Sequence, residues 1–445
     1  MTHIRIEGKA WRTLTCMAAV YFYAFVDRHI LVLLVEPMRV DLGLSDTQFS
    51  LAQSFGFAVA LGLASVPAGR LVDRGSRAVI LAVAVAFWSV MTALTALATG
   101  LAMLLACRIG VAIGQAALNP ATYALIADRF PPERMGLALG IFGMAPHFGA
   151  GVASLAGAAV LALMPTDGAD LPLLGRMKSW QIALILVGLP GPALAALVLW
   201  TSNVPMPGGA VGAEPLQLST VLAYFRRNLR SFMLVKLATG FAAIAVHATA
   251  AWTVSLLMRS HDWSLPAAGA ALGPVLLSTG AIGALCGGAV GDWLHRRRGD
   301  GRIVVMMLAT LAAIPFAAFG PMHPNPFVLL AFLGMVVLCA SMAVGLNPAA
   351  TMAIMPPAVR GVATALGVLL VNMIGLGCGP LLVAIVSDRA VDLANPLGFA
   401  LAAVVTLSLV ASTLCLACCR RSYALSLAQL QDAEDYGTFN DPKVR

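Results

Sequence analysis

The feature that most constrains this chain is a series of apolar stretches, each long enough to cross a membrane as a helix. Crossing about 30 Å of hydrocarbon takes about 20 mostly apolar helical residues. Such stretches occur at residues 13–35, 48–70, 78–98, 101–125, 136–164, 179–201, 231–257, 266–290, 303–320, 326–354, 361–386 and 396–418. Only 11% of the residues are charged, against about a quarter in soluble proteins. The sequence therefore predicts an all-α membrane protein with twelve transmembrane helices, numbered here in chain order.

The second half of the chain repeats motifs of the first. A Gly-x-x-x-Asp motif recurs after 219 residues (288 − 69 = 219), as Gly69 to Asp73 and Gly288 to Asp292. Leu-Asn-Pro-Ala at 118–121 recurs at 346–349, and a Pro-Pro motif at 131–136 recurs at 356–361. Such a duplication is typical of secondary transporters built from two halves, with the binding site between them. We expect two pseudo-symmetric six-helix bundles.

The polar interruptions divide the chain into four segments. We expect an N-terminal six-helix bundle at 1–202 and a C-terminal one at 230–422. Proline and glycine cluster between 205 and 215, so residues 203–229 are interpreted as a cytoplasmic linker. The mixed segment 423–445 is expected to be a cytoplasmic tail that begins as a helix.

The basic residues indicate an orientation, because cationic loops are retained in the cytoplasm. With both termini cytoplasmic, 20 of the 28 lysines and arginines lie on that side. The opposite side has only Arg39, Arg176, Lys178, Arg259 and Arg389. The net charge of +8 is then mostly a consequence of topology, and no nucleic-acid partner is expected. We expect a multi-pass protein of a bacterial inner membrane that functions as a monomer.

Charged residues at membrane depth are costly, so each one is a functional candidate. Among the twenty acidic residues, only Asp27 is predicted to lie well inside a span. Burial disfavours a charged carboxylate, and a nearby guanidinium favours it. A substrate anion that competes for that guanidinium therefore couples substrate binding to proton uptake at Asp27. The alternative is a fixed ion pair that only holds helices together.

Three cations share the predicted membrane interior with Asp27. Arg28 points about 100° away from Asp27 on the helix, so we expect the two to contact different neighbours. Arg108 and Gln115 lie two turns apart on one face of the fourth span, which makes Arg108 a candidate partner of Asp27 or contact of an anion. Lys236 lies near the basic end of its span and is expected to extend to the cytoplasmic surface, with substrate binding as the less favoured role. The balance, 3 − 1 = +2, favours an anionic substrate.

Three asparagines are further candidates for substrate contact, although such residues more often bond neighbouring helices. They are Asn119, Asn347 and Asn372. The isolated histidines lack the paired spacing of metal ligands, so no metal, cofactor or catalytic residue is expected.

The Gly-x-x-x-Asp motifs are interpreted as a conformational latch. Gly69 is expected to allow close packing of helix ends, and the acidic residue is expected to pair with basic groups in a neighbouring loop. The residues assigned to this latch are Gly69, Asp73, Arg74, Arg77, Gly288 and Asp292.

With its twelve spans, its two halves and the loop from 69 to 77, the chain resembles the major facilitator superfamily. The first half is similar to the Spinster-like branch, through Asp27-Arg28, the segment 41–48, Arg108 and the segment 127–134. This resemblance implies a rocker-switch carrier driven by protons, with relatives that export lysophospholipids or sphingoid phosphates. Asp27, Arg28 and Arg108 match the coupling positions of the branch. Gln115 replaces a common glutamate, which argues against a relay of two carboxylates.

These observations favour a proton-coupled transporter of an amphiphilic or organic anion in the lipid bilayer. An uptake permease for small carboxylates is the nearest alternative. A multidrug-type efflux carrier is less favoured because only one acid lies at membrane depth. An enzyme is not expected, since no nucleophile motif or metal-ligand spacing is present.

Overall fold

The structure is a computed structural model that describes residues 8–130, 132–164, 168–171, 175–202, 218–355 and 360–435. Twelve helical segments are long and apolar enough to cross a membrane, from Gly8–Leu33 to Pro396–Leu430. The prediction of an all-α protein with twelve spans is confirmed. The α-helices are Gly8–Leu33, Val35–Asp41, Asp46–Ser50, Phe57–Arg74, Arg77–Thr95, Leu101–Gln115, Leu118–Ala127, Pro132–Leu163, Ser179–Gly188, Gly191–Ser202, Leu218–His261, Leu265–Arg297, Gly301–Phe319, Pro326–Met352, Arg360–Asn372, Gly379–Arg389 and Pro396–Asp435.

Two spans contain a π-helical turn, a wider form of helix that occurs often at functional sites. In the second span the turn is Leu51–Gly56, and in the eleventh it is Met373–Cys378. The second span begins with a capping box, in which Ser45 and Gln48 each bond the other's backbone N–H. Its start is therefore well defined, and the π-helical turn follows directly after the first turn of α-helix.

A short β-hairpin lies between the fifth and sixth spans. Strand Ala169–Leu171 pairs antiparallel with strand Gly175–Met177. No sequence pattern predicted this hairpin. The hairpin leads into Lys178, which forms an ion pair with Asp41.

Close contacts divide the chain into two units. The first comprises Met1–Met206, Ala251–Leu277 and Ser387–Arg389, and the second comprises Pro207–Ala250, Ser278–Val386 and Ala390–Arg445. In the second unit, a buried apolar cluster includes Phe232, Met306, Leu346, Met355 and Tyr423. Each unit thus has apolar side chains buried between its own helices.

Part of the predicted linker is helical. Residues 203–217 lie outside the described residues, and the next helix begins at Leu218, so residues 218–229 extend the seventh span as a continuous helix. No glycine or proline interrupts the chain between 218 and 239, so nothing stops this helix at the membrane boundary. The last helix continues to Asp435, as expected for the start of the tail, and residues 436–445 lie outside the described residues.

The first and fifth spans pack closely where the fifth is rich in glycine. A Cβ atom built on Gly149 lies 2.6 Å from the Phe22 carbonyl oxygen, and one on Gly157 lies 2.6 Å from a methyl of Ile30. The contact at Gly149 is with backbone, so a side chain there requires the helices to shift.

We expect Gly149→Val to lower the thermal unfolding midpoint by several degrees, because overpacking a helix contact costs about 1–3 kcal/mol. Gly69→Ala is the control: a Cβ there touches nothing within 4 Å, so added helix propensity should leave the midpoint unchanged or raise it. Size-exclusion chromatography after heating measures both. Equal midpoints for the two variants would contradict the tight contact.

Candidate functional site

The carboxylate of Asp27 lies at the centre of a buried polar cluster in the first unit. Asp27 is fully buried, and the hydroxyl of Thr92 donates to its Oδ1. The amide Nε2 of Gln115 donates to its Oδ2 at 3.0 Å. Arg108 Nη1 lies 3.9 Å from the same Oδ2, close enough for an ion pair. The structure thus brings together the first, third and fourth spans around the one acid predicted at membrane depth.

Gln115 connects Asp27 to Arg28. Its Oε1 accepts from Arg28 Nε at 2.7 Å, while its Nε2 donates to Asp27. Since a guanidinium only donates and an ionised carboxylate only accepts, an amide is the neutral side chain that satisfies both. The expectation that Asp27 and Arg28 contact different neighbours is wrong, because the long amide of Gln115 reaches both.

Arg108 has unused donors. It is 1% exposed, and its Nε and Nη1 donate hydrogen bonds to no residue that the structure describes. Its guanidinium carbon lies 4.8 Å from the centre of the Phe57 ring, and that of Arg28 lies 5.1 Å from the same ring. Cation–π contact stabilises these charges but leaves the N–H groups free to bind an anion. The cluster carries two cations against one carboxylate.

An apolar groove runs along the second and fourth spans of the first unit. Its volume is about 610 Å³. The lining includes Leu51, Phe55 and Gly56 of the π-helical turn and Leu105 and Ile109 on either side of Arg108. A hydrocarbon chain fits such a lining, because no charged group borders it.

Lys236 does not extend to the surface as expected. Its Nζ donates to Asn347 Oδ1 at 2.7 Å and to Thr351 Oγ1 at 2.5 Å, and it is 2% exposed. The tenth span provides polar partners inside the second unit, so the side chain has no need to reach water. Asn347 is thereby placed beside a cation.

The other two asparagines are less engaged. The Oδ1 of Asn119 is buried and accepts no hydrogen bond from a described residue. Asn372 directly precedes the π-helical turn of the eleventh span. The structure brings neither of them into the Asp27 cluster.

The two Gly-x-x-x-Asp motifs differ in their contacts. In the second unit, Asp292 accepts from Arg302 at 2.8 Å, while in the first unit Arg77 pairs with Asp128. Asp73 and Arg74 are exposed and form no ion pair with a described residue. Cβ atoms built on Gly69 and Gly288 touch nothing within 4 Å. The close packing expected at Gly69 is therefore absent from this structure, and the latch remains a prediction.

A group of charges joins loops that the sequence places opposite the termini. Arg259 donates to both oxygens of Asp46, at 2.7 and 2.8 Å, and to Glu36 at 2.6 Å. The backbone N–H of Thr47 donates to Asp388 at 2.8 Å. Because residues from three separate loop regions meet here, their assignment to one side of the membrane is supported.

Two residues of the site were missed from the sequence. Thr92 gave no signal, because a threonine within a span usually bonds its own helix, as its hydroxyl also does to the Trp88 carbonyl. Phe57 was missed because it follows a π-helical turn, which no sequence pattern predicts. No group of three or more metal-ligating side chains occurs among the residues described.

Comparison with known proteins identifies the family. A sequence model of the Major Facilitator Superfamily matches residues 17–380. An "MFS-type efflux pump" of Mycolicibacterium smegmatis is 27% identical over 386 residues, 86% of each protein. A "Probable L-galactonate transporter" of Escherichia coli is 25% identical and covers 73% of this chain and 72% of its own length.

A solved structure supports the fold. The crystal structure of a bacterial homologue of the human lysosomal transporter Spinster matches with a TM-score of 0.79 at 24% identity, covering 95% of this chain and 98% of the other. The resemblance to the Spinster-like branch is confirmed in the fold. With twelve spans, a duplicated motif set and a family match over most of its length, the chain is a multi-pass integral membrane protein that belongs to the Major Facilitator Superfamily.

Proposed function

We propose that this chain is a proton-coupled transporter that moves an amphiphilic or organic anion by alternating access. The observation that supports it is the cluster around Asp27, in which one carboxylate faces two arginines and Arg108 keeps unpaired N–H groups. A buried cation with free donors favours an anion, because a charged acceptor offsets its desolvation.

The coupling follows from competition for Arg108. With the site empty, the ionised carboxylate of Asp27 accepts from Thr92 and Gln115 and lies 3.9 Å from Arg108. An anionic substrate that binds the free N–H groups of Arg108 adds a negative charge beside Asp27. Proton uptake by Asp27 removes that repulsion, so each event favours the other. Release on the other side of the membrane reverses both steps.

The substrate class has two supports. The apolar groove along the second and fourth spans suits the hydrocarbon part of an amphiphile, which favours a lipid-like anion and a role in lipid transport. The relative named for L-galactonate favours the alternative, an uptake permease for small carboxylates. The relative named as an efflux pump leaves export by a multidrug-type carrier as a further alternative.

We further propose a monomer in the bacterial plasma membrane, with both termini cytoplasmic. The segments 1–202 and 230–422 form its halves, and the cytoplasmic segment 203–229 connects them. The Gly-x-x-x-Asp loops act as a latch that holds one conformation through pairs such as Asp292 with Arg302.

Substrate-induced proton movement in proteoliposomes tests the proposal. We expect native protein to take up protons when lysophospholipids, sphingoid phosphates or small carboxylates are added, for whichever class it transports. Asp27→Asn keeps the shape but holds no exchangeable proton, so we expect coupled proton uptake to fall to background. Native transport without proton movement, together with an equally active Asp27→Asn variant, would make Asp27 a structural residue.

A further inference from the structure

A buried lysine in the second unit is not used by the coupling mechanism. Lys236 of the seventh span bonds two polar side chains of the tenth, Asn347 and Thr351. In the described part of the chain it forms no ion pair with a carboxylate. A buried ammonium without a counter-charge is costly, and a bound anion offsets that cost.

The eleventh span leaves room for the ammonium group at a glycine. A Cβ atom built on Gly367 lies 2.7 Å from Lys236 Nζ, so a side chain there requires the end of the lysine to move. The ammonium also lies 5.6 Å from the centre of the Phe232 ring. Three spans thus enclose a single cation.

Lys236 and the polar groups around it have more hydrogen-bond donors than acceptors. The ammonium has three N–H groups, of which two are used. Asn347 Oδ1 is occupied by the lysine, and the Asn347 amide NH₂ donates to no described residue. The Thr351 hydroxyl donates to the Asn347 carbonyl at 2.8 Å and so acts toward Lys236 as an acceptor. What remains free is one N–H of a cation and an amide NH₂.

The other half of the duplication lacks this cation. Subtracting the repeat spacing places Met17 at the equivalent position (236 − 219 = 17). There the hydroxyl of Thr122 contacts the Met17 sulfur at 3.7 Å, so the first and fourth spans cross without a charge. Packing of these helices therefore does not require a lysine.

We propose that Lys236 and Asn347 bind the anionic group of the transported substrate, a carboxylate or a phosphate. This inference rests on the proposed function and assigns an anion contact within the second unit. The bound anion supplies the missing counter-charge and accepts the free N–H of Lys236 and the NH₂ of Asn347.

A purely structural role makes a different prediction. Lys236 lies near the last turn of the tenth span, where a cation stabilises the helix end. If Lys236 only stabilises the helix end, a carboxylate beside it forms an ion pair and the protein becomes more stable. If Lys236 binds an anion, the same carboxylate neutralises the ammonium and anion binding is lost. Asn347→Asp separates the two roles because it keeps the lysine, the shape and the packing.

Binding to purified protein tests the inference with matched probes. Lysophosphatidate is compared with monoacylglycerol, and galactonate with galactitol, so that each pair differs mainly in its anionic group. We expect native protein to bind the anion of one pair more tightly than the neutral partner. Lys236→Met, which copies Met17, and Asn347→Asp should each weaken that anion about 10-fold or more and leave the neutral probe unchanged. Thermal midpoints establish that each variant is folded.

The outcomes are distinguishable. If native protein prefers an anion and a folded Asn347→Asp binds that anion equally tightly, the site at Lys236 is overturned and the proposed function stands. Equal binding of anionic and neutral probes by native protein overturns both. Loss of anion affinity in Asn347→Asp supports the inference even where Lys236→Met does not fold.

Discussion

Replacing Arg108 by methionine is expected to lower transport of the anionic substrate by about 100-fold while the protein remains folded. Arg108 is buried, and its free N–H groups are the donors available to an anion beside Asp27. Removing one partner of a buried charged contact costs about 3 kcal/mol, which corresponds to about two powers of ten. Initial rates of substrate uptake into proteoliposomes measure the effect.

Two companion variants make the Arg108 result specific. Arg108→Lys keeps the charge but lacks the planar donors, so we expect an intermediate rate. Arg421→Met removes an exposed arginine near the end of the last span and should transport like native protein. If Arg108→Met transports at the native rate, the anion site lies elsewhere.

Gln115→Glu is expected to raise the number of protons moved per substrate from one to two. A glutamate at this position still accepts from Arg28, but it can donate to Asp27 only when it carries a proton. Before substrate binds, the two arginines balance both ionised carboxylates, and an anion that binds Arg108 favours proton uptake by both. Reversal of substrate flux against imposed pH gradients measures this ratio.

Gln115→Leu is the matched control for the added carboxylate. It breaks the bonds to Asp27 and Arg28 and adds no titratable group, so slower transport with an unchanged ratio is expected. A ratio of one in Gln115→Glu, at any rate of transport, would show that this position only holds its neighbours in place.

Rare charges within apolar stretches made much of the site predictable. Asp27, Arg108 and Gln115 follow from the cost of burying charge and from the two-turn spacing on the fourth span, and the structure places them in contact. The twelve spans follow from the length of the apolar runs. These predictions succeed because a membrane penalises polar groups strongly and uniformly.

The remaining contacts depend on tertiary packing. The prediction for Lys236 failed because position along a helix says nothing of the space that Gly367 leaves on another span. Gln115 bonds both Asp27 and Arg28 because its side chain is long enough to reach both. A helical wheel shows the direction of a side chain but not its length. The close packing expected at Gly69 was inferred from residue type alone. Whether a glycine is closely packed depends on which side chains of neighbouring helices lie next to it.

The π-helical turn at Leu51–Gly56 changes how the second span must be compared with that of any relative. One additional residue in a helix rotates everything after it by about 100°. Phe57, which contacts both arginines, is the first residue after that rotation. Residues 46–50 and 57–74 therefore follow two different helical wheels. A relative without the turn presents a different side chain to its arginines, even where its sequence aligns with this one residue for residue.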